Sequence, residues 1–264
     1  MNNWLSKTKI LVCVGTGGVG KTTVAASLGI AAAKKGLNVL VLTIDPAKRL
    51  AQALGLNSEK TGDVFVPDQN FKGKLFAGII DPEASFSEFV KYNSSDKNKA
   101  ETLLNNTLFK QLSTNLSGSQ EFTSLDRLYR AVNSNKYDLV ILDTPPAQNA
   151  MDFFKAPEKI YALFQKSITK WFAIGSSNQN LMSKIINKGT LTVLNALEKL
   201  TGAAFIGELA EFFVSIQDIQ EVISQRSINV HKMLLDESTQ FILVSAYDKI
   251  KLLESKNIYF QFQR

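Results

Sequence analysis

Gly15-Thr16-Gly17-Gly18-Val19-Gly20-Lys21-Thr22-Thr23 decides the fold of this chain. The stretch fits the phosphate-loop pattern G-x-x-x-x-G-K-S/T, with Gly15 as its first glycine. Ahead of it, Ile10-Leu11-Val12-Cys13-Val14 is an uninterrupted apolar run that reads as a buried strand. Behind it, the alanine-rich run from Val24 to Lys35 reads as a helix. Strand, glycine loop and helix, in that order, form a phosphate site. Glycines let successive backbone N–H groups curl inward around phosphate oxygens, and the helix N-terminus adds its partial positive charge. The pattern therefore assigns phosphate binding to Gly15, Thr16, Gly17, Gly18, Val19, Gly20, Lys21, Thr22 and Thr23. Lys21 brings a full charge to the outer phosphates, and the Thr22 hydroxyl is a candidate Mg²⁺ ligand.

Working outward, Gly36 stops the helix, and Asn38-Val39-Leu40-Val41-Leu42-Thr43-Ile44 reads as a second buried strand that ends in Asp45-Pro46-Ala47. A carboxylate at the C-terminal end of a parallel strand faces the ligand crevice. Asp45 can therefore position or deprotonate the water that attacks a γ-phosphate; the plainer alternative is a cap for a helix over Lys48 to Leu54. Tyr137 to Leu142 reads as a further strand, and it ends in Asp143-Thr144-Pro145-Pro146. That is the place of a Walker B aspartate, which holds Mg²⁺ directly or through water. The prolines cannot extend a ladder and stiffen the turn, so the alternative is an ordinary strand-ending turn.

Together, Gly15 to Thr23, Asp45-Pro46-Ala47 and Asp143-Thr144-Pro145-Pro146-Ala147-Gln148-Asn149-Ala150 resemble the arsenical-pump-driving and tail-anchored-protein-targeting ATPases, within the MinD/ParA class of phosphate-loop ATPases. Ala77 to Ala84 is similar to the family's third core strand and its exit, and Gly118-Ser119-Gln120-Glu121-Phe122 to its glycine-acid segment before the next helix. The resemblance covers most of residues 8–150 and thins beyond. It implies a cytoplasmic ATPase that uses ATP and Mg²⁺, with Lys21 and Asp45 in catalysis and Thr22 and Asp143 on the metal. It also implies a homodimer whose ATP-driven closure changes a helical layer that takes a hydrophobic client helix or a membrane-associated partner.

Two departures bear on that expectation. Where the class carries a second loop lysine that reaches a partner's nucleotide, this chain has Thr16. Its one cysteine, Cys13, lies inside the first strand, so thiol capture of arsenite, a bridging zinc and an iron–sulfur cluster all lack ligands. Two rival readings follow. A ParA/MinD-like positioning ATPase needs a terminal amphipathic or concentrated basic patch, and neither is visible. A nucleotide-binding regulatory subunit with negligible turnover fits the missing lysine.

Composition sets wider bounds. The 264 residues carry 45% hydrophobic and 20% charged residues and a net charge of +6, ordinary for a globular protein and no announcement of nucleic acid. One cysteine rules out a disulfide scaffold. Residues 1–9 carry no apolar signal segment, and the apolar window at 203–214 is too short and too acidic to span a membrane. Asn135-Lys136-Tyr137-Asp138 matches a guanine-reading pattern but precedes the Walker B strand instead of following a later one, so it reads as a polar turn and ATP is favoured over GTP.

Strand-like runs near 9–14, 39–44, 75–80, 138–143 and 240–245 alternate with helical or loop segments. The fold class expected is α/β, a doubly wound and mostly parallel sheet of the P-loop NTPase kind with a helical subdomain. Residues 1–264 read as one P-loop ATPase domain with helical insertions at about 85–117 and 151–235, an irregular connection at 57–73, and a truncated C-terminus after a helix that includes Lys256 to Gln261. Phe153 to Phe172 are crowded with apolar residues. Leu209, Phe212, Phe213, Ile216, Ile219 and Ile223 make a helical stripe that either packs inward or lines a client groove. His231, the only histidine, reads as a surface residue.

Overall fold

A computed structural model describes residues 7–44, 49–56, 62–68, 70–107, 109–110, 119–146, 150–163 and 203–262. Along the chain run β1 (Ile10–Gly15), α1 (Lys21–Lys34), β2 (Asn38–Thr43), α2 (Arg49–Ala53), β3 (Asp63–Val66), β4 (Lys74–Ile79), α3 (Pro82–Asn93) and α4 (Lys97–Asn105). There follow α5 (Ser119–Asn133), β5 (Leu139–Asp143), α6 (Ala150–Leu163), α7 (Ala203–Leu235), β6 (Thr239–Val244) and α8 (Lys249–Phe262). The chain divides into two compact units. The first holds residues 1–82, 121–156 and 230–264; the second holds 83–120 and 157–229.

The first unit is built on a six-stranded sheet in the order β3-β4-β2-β5-β1-β6. Every neighbouring pair is parallel except β3 with β4. The expected doubly wound, mostly parallel α/β sheet is therefore present. The central strands β1, β2 and β5 are apolar without alternation because both faces are covered. One face joins Val12, Leu40, Leu42, Val140 and Leu142 to Leu125 and Leu128 of α5 and Phe153 of α6. The opposite face joins Leu11, Cys13, Val39, Val41 and Ile141 to Ala25, Ala26, Ala32 and Ala33 of α1. Each fully buried Val, Leu or Ile side chain in these layers contributes roughly 1.5–3 kcal/mol.

Strand order brings the site into being. The chain passes from β1 to β2, leaving a gap that β5 later fills. Cys13 of β1 and Thr43 of β2 both lie in register with Asp143 of β5. The C-terminal ends of three strands thus lie side by side where the strand order reverses, the place where open α/β sheets bind ligands.

The irregular connection expected over 57–73 is corrected in part. Residues 63–66 form β3, antiparallel to β4, with Asp63 opposite Gly78 and Phe65 opposite Phe76. Distant partners stabilise this short strand. The Phe65 and Phe76 ring centroids are 5.5 Å apart. Asp63 pairs with Arg127 and accepts the Tyr137 hydroxyl at 2.9 Å. Burial, with the Asp63 bond second, pushes the Tyr137 phenol up to about 12.

In the second unit, Asp96 caps α4 by accepting from the Asn98 amide at 2.8 Å. Phe86 stacks on Phe109 with centroids 5.1 Å apart, and the Arg226 guanidinium lies 5.6 Å from the Phe89 ring centre. Of the helical stripe, Phe212, Ile216, Ile219 and Ile223 are all buried. Those four side chains therefore pack inward, as the plainer reading of the stripe expects. Leu108, Gly118 and residues 164–202, with Trp171 and Phe172, lie outside the described residues.

Candidate nucleotide site

The loop between β1 and α1 is shaped by where side chains cannot go. A Cβ on Gly15 would lie 2.2 Å from the Val244 carbonyl oxygen of β6, so that position excludes any side chain. Gly18 (φ 77°) and Gly20 (φ 87°) adopt the left-handed region that glycine enters without strain. Gly20 is the N-cap of α1 and makes no side-chain cap bond. The first N–H groups of a helix have no partner within it. The turn thus presents backbone donors and the positive end of a 14-residue helix on one side of the loop.

Lys21 is 8% exposed, and its ammonium donates to the Thr16 carbonyl oxygen at 2.9 Å, across the loop. A charge held at the loop rim is set to meet phosphate oxygens. Thr22, one residue on, donates its hydroxyl to Asp143 Oδ2 at 2.6 Å, across 121 residues of chain. The sequence assigned these two residues to one metal, and the structure brings them together. A second hydroxyl, Thr43 Oγ1, donates to the same Asp143 oxygen at 3.1 Å. Sequence reading gave Thr43 no role. Its signal was faint: a lone hydroxyl near the end of an apolar strand.

Beyond Asp143, Thr144 turns back, donating its hydroxyl to the Cys13 carbonyl oxygen at 2.8 Å. The strand exit is thereby tied to β1. A Cβ on Gly17 would meet Pro146 at 3.8 Å, so the proline turn stands against the phosphate loop. Thr16 is 2% exposed and its hydroxyl has no hydrogen-bond partner among the described residues. Gly17, Gly18 and Thr23 are exposed and Val19 is half-buried. Asp45 lies outside the described residues; α2 starts at Arg49 and ends at Ala53, inside the expected helix.

Cys13 is fully buried, and burial, helped by the nearby Asp143 carboxylate and opposed by Lys21, pushes its thiol up to about 12. A protonated thiol inside a strand is a small apolar side chain and a poor metal ligand. Asn135-Lys136-Tyr137-Asp138 forms the polar turn expected of it. Asn135 takes φ 54°, and the Asp138 carboxylate accepts from the Asn38 amide at 2.7 Å, which ties the starts of β5 and β2 together. Ser119 to Phe122, expected ahead of a helix, instead form the first turn of α5. His231 is half-buried in α7.

A family model described as anion-transporting ATPase matches residues 8–264, nearly the whole chain. The chain belongs to that family. Its sheet order and loop motifs fit an ATPase of the arsenical-pump and tail-anchored-targeting type. Relatives named ATPase GET3 share 26% identity in Malassezia globosa, over 95% of this chain and 67% of the relative, and 27% in Podospora anserina, over 92% and 66%. A relative named ATPase ASNA1 homolog 1, from Paramecium tetraurelia, is 26% identical over 84% of this chain and 73% of its own length. The chain spans about two thirds of the length of the first two relatives. Among the described residues, no helix is long and apolar enough to cross a membrane.

Proposed function

We propose that this protein binds ATP with Mg²⁺ in the loop between β1 and α1, hydrolyses it, and passes the nucleotide state to its helical regions. The observation that carries the reading is the meeting of Thr22 with Asp143 beside the folded-back Lys21. A hydroxyl and a carboxylate are hard oxygen donors, the set that suits Mg²⁺. Thr22 and Asp143 would hold the ion, which would supply positive charge against the phosphates. Lys21 moves its ammonium from the Thr16 carbonyl to the phosphates, Gly15 to Thr23 surround them with backbone donors, and Asp45 orients the attacking water. Residues 1–264 then act as one P-loop ATPase domain, with the helical insertions at about 85–117 and 151–235 reading its state.

The finer reading is a homodimer that ATP closes and hydrolysis reopens, with a hydrophobic client helix or a membrane-associated partner held by the helical layer, in the cytoplasm and without zinc or an iron–sulfur cluster. Family membership supports it, and so does the buried, protonated Cys13, which cannot bridge two chains through a metal. A second reading keeps nucleotide binding but not turnover. It is favoured by Thr16, whose enclosed side chain offers a partner subunit no charge. ATP turnover by the purified protein decides between them, with Lys21→Ala as the blank. Turnover equal to that blank leaves a nucleotide-binding regulatory subunit. Light scattering with and without a non-hydrolysable ATP analogue tests the dimer.

A further inference from the structure

We infer that Thr43 is a positioning residue for the cation: its hydroxyl fixes the Asp143 carboxylate in the orientation that the metal needs. The inference rests on the reading that Thr22 and Asp143 hold the ion. Thr43 closes β2, is fully buried, and stands in register with Asp143 on the adjacent strand. Its hydroxyl and that of Thr22 donate to one oxygen, Asp143 Oδ2, at 3.1 and 2.6 Å. One donor comes from the phosphate-loop helix and the other from the sheet, so the carboxylate is held from two elements and its rotation is restricted. On the other flank the residue in register with Asp143 is Cys13, and a thiol is at best a weak donor. Of the two residues in register with Asp143, Thr43 is therefore the strong donor.

The two bonds would serve different ends when a cation binds. The Thr22 hydroxyl would offer the ion an oxygen lone pair while its hydrogen can still go to Asp143. Thr43 is not one of the proposed metal ligands and would keep its bond from the neighbouring strand, so Asp143 stays oriented as the ion enters. Groups that orient metal ligands in this way typically change metal affinity 10–100-fold when removed. Thr43 also lies two residues before Asp45, so the bond joins the metal carboxylate to the strand that delivers the candidate water-orienting aspartate. A threonine kept only for core shape would need no hydroxyl, and valine would serve.

The test uses Mn²⁺ as the probe, following free Mn²⁺ by electron paramagnetic resonance in the presence of protein and ATP, with ATP affinity in EDTA measured by calorimetry. Thr43→Val keeps the shape and removes the donor. It should weaken Mn²⁺ binding about 10-fold or more and leave metal-free ATP affinity unchanged, and Thr43→Ser should restore most of the loss. Thr43→Val with wild-type Mn²⁺ affinity overturns the inference, as does equal weakening in the valine and serine variants. If the valine variant does not fold, Thr43→Ala against Thr43→Ser gives the same comparison. Asp143→Asn separates the two layers. Lost Mn²⁺ binding there with no effect at Thr43 removes only this inference; unchanged Mn²⁺ binding there removes the reading of Asp143 as well.

Discussion

The two compact units use their chemistry in opposite ways. In the first, the informative residues are polar and buried: Lys21, Thr43, Asp143 and Thr144 are all under 9% exposed, and each holds another group in place. In the second, the most visible residues are apolar or aromatic: Phe86, Phe109, Phe212 and Ile219 are buried, and Phe86 stacks on Phe109. Buried polar groups must be satisfied and so fix geometry. Buried apolar groups ask mainly for volume and leave sequence free to vary. The contrast accounts for a chain whose nucleotide chemistry is legible from short motifs, while its helical unit shows only a stripe. It also predicts that damage to the two units separates cleanly, stability from ligand binding.

The largest effect is expected in the helical unit. Phe212 is 2% exposed on α7, and Phe212→Ala should cost about 3–5 kcal/mol of stability. ATP affinity of the protein that remains folded should not change. Denaturant melts paired with calorimetry check this; a variant that loses ATP affinity while keeping its melt would break the separation.

Next comes the phosphate loop from the opposite side. Lys21→Ala removes the loop's one full charge and should weaken ATP binding by about 100-fold or more, roughly 2.7 kcal/mol, with a melt close to wild type. Calorimetric affinity within a few-fold of wild type would remove the phosphate assignment.

A third test sharpens the comparison within the first unit. Asp45→Asn keeps size and polarity but cannot act as a base, so turnover should fall by about 100-fold while ATP affinity stays. Turnover within about tenfold of wild type, roughly 1.4 kcal/mol of barrier, would make Asp45 a helix cap and nothing more.

How much of this was readable beforehand follows from sequence distance. The loop and Asp143 could be picked out because strand ends and short motifs are local. Thr43 did not, because its bond to Asp143 spans 100 residues and exists only through strand register. The short strand β3 was missed partly for the same reason: although it pairs with the next strand, the Asp63 partners Arg127 and Tyr137 lie 64 and 74 residues away. The turn at Asn135 was read correctly because its position ahead of the Walker B strand already contradicted the guanine pattern. The stripe on α7 was visible as periodicity, yet periodicity alone does not tell a packed face from a groove. The burial of Phe212, Ile216, Ile219 and Ile223 answers that question for those four residues.

The smallest effect concerns the one group that could have linked the two kinds of chemistry. Cys13 lies in the core layer yet beside Asp143, and burial pushes its thiol from 9.0 up to about 12. The unfolded chain releases this proton first, so the folded state holds it more tightly between those values. The stabilisation from this group is therefore complete below pH 9 and is lost as pH rises through the folded value. At pH 10 the loss should be about 1 kcal/mol, and Tyr137, also raised to about 12, adds in the same direction. Cys13→Ala removes the thiol's share, so the drop in stability from pH 8 to pH 10 should be shallower than in the parent, whatever its absolute stability. Alkylation gives a second reading at fixed pH. At pH 8.5 the folded protein should react with iodoacetamide about 100-fold more slowly than the denatured chain, because thiolate is scarce and enclosed. A folded protein that labels as fast as the unfolded one would place Cys13 among reactive thiols and reopen the thiol-based readings that its buried position argues against.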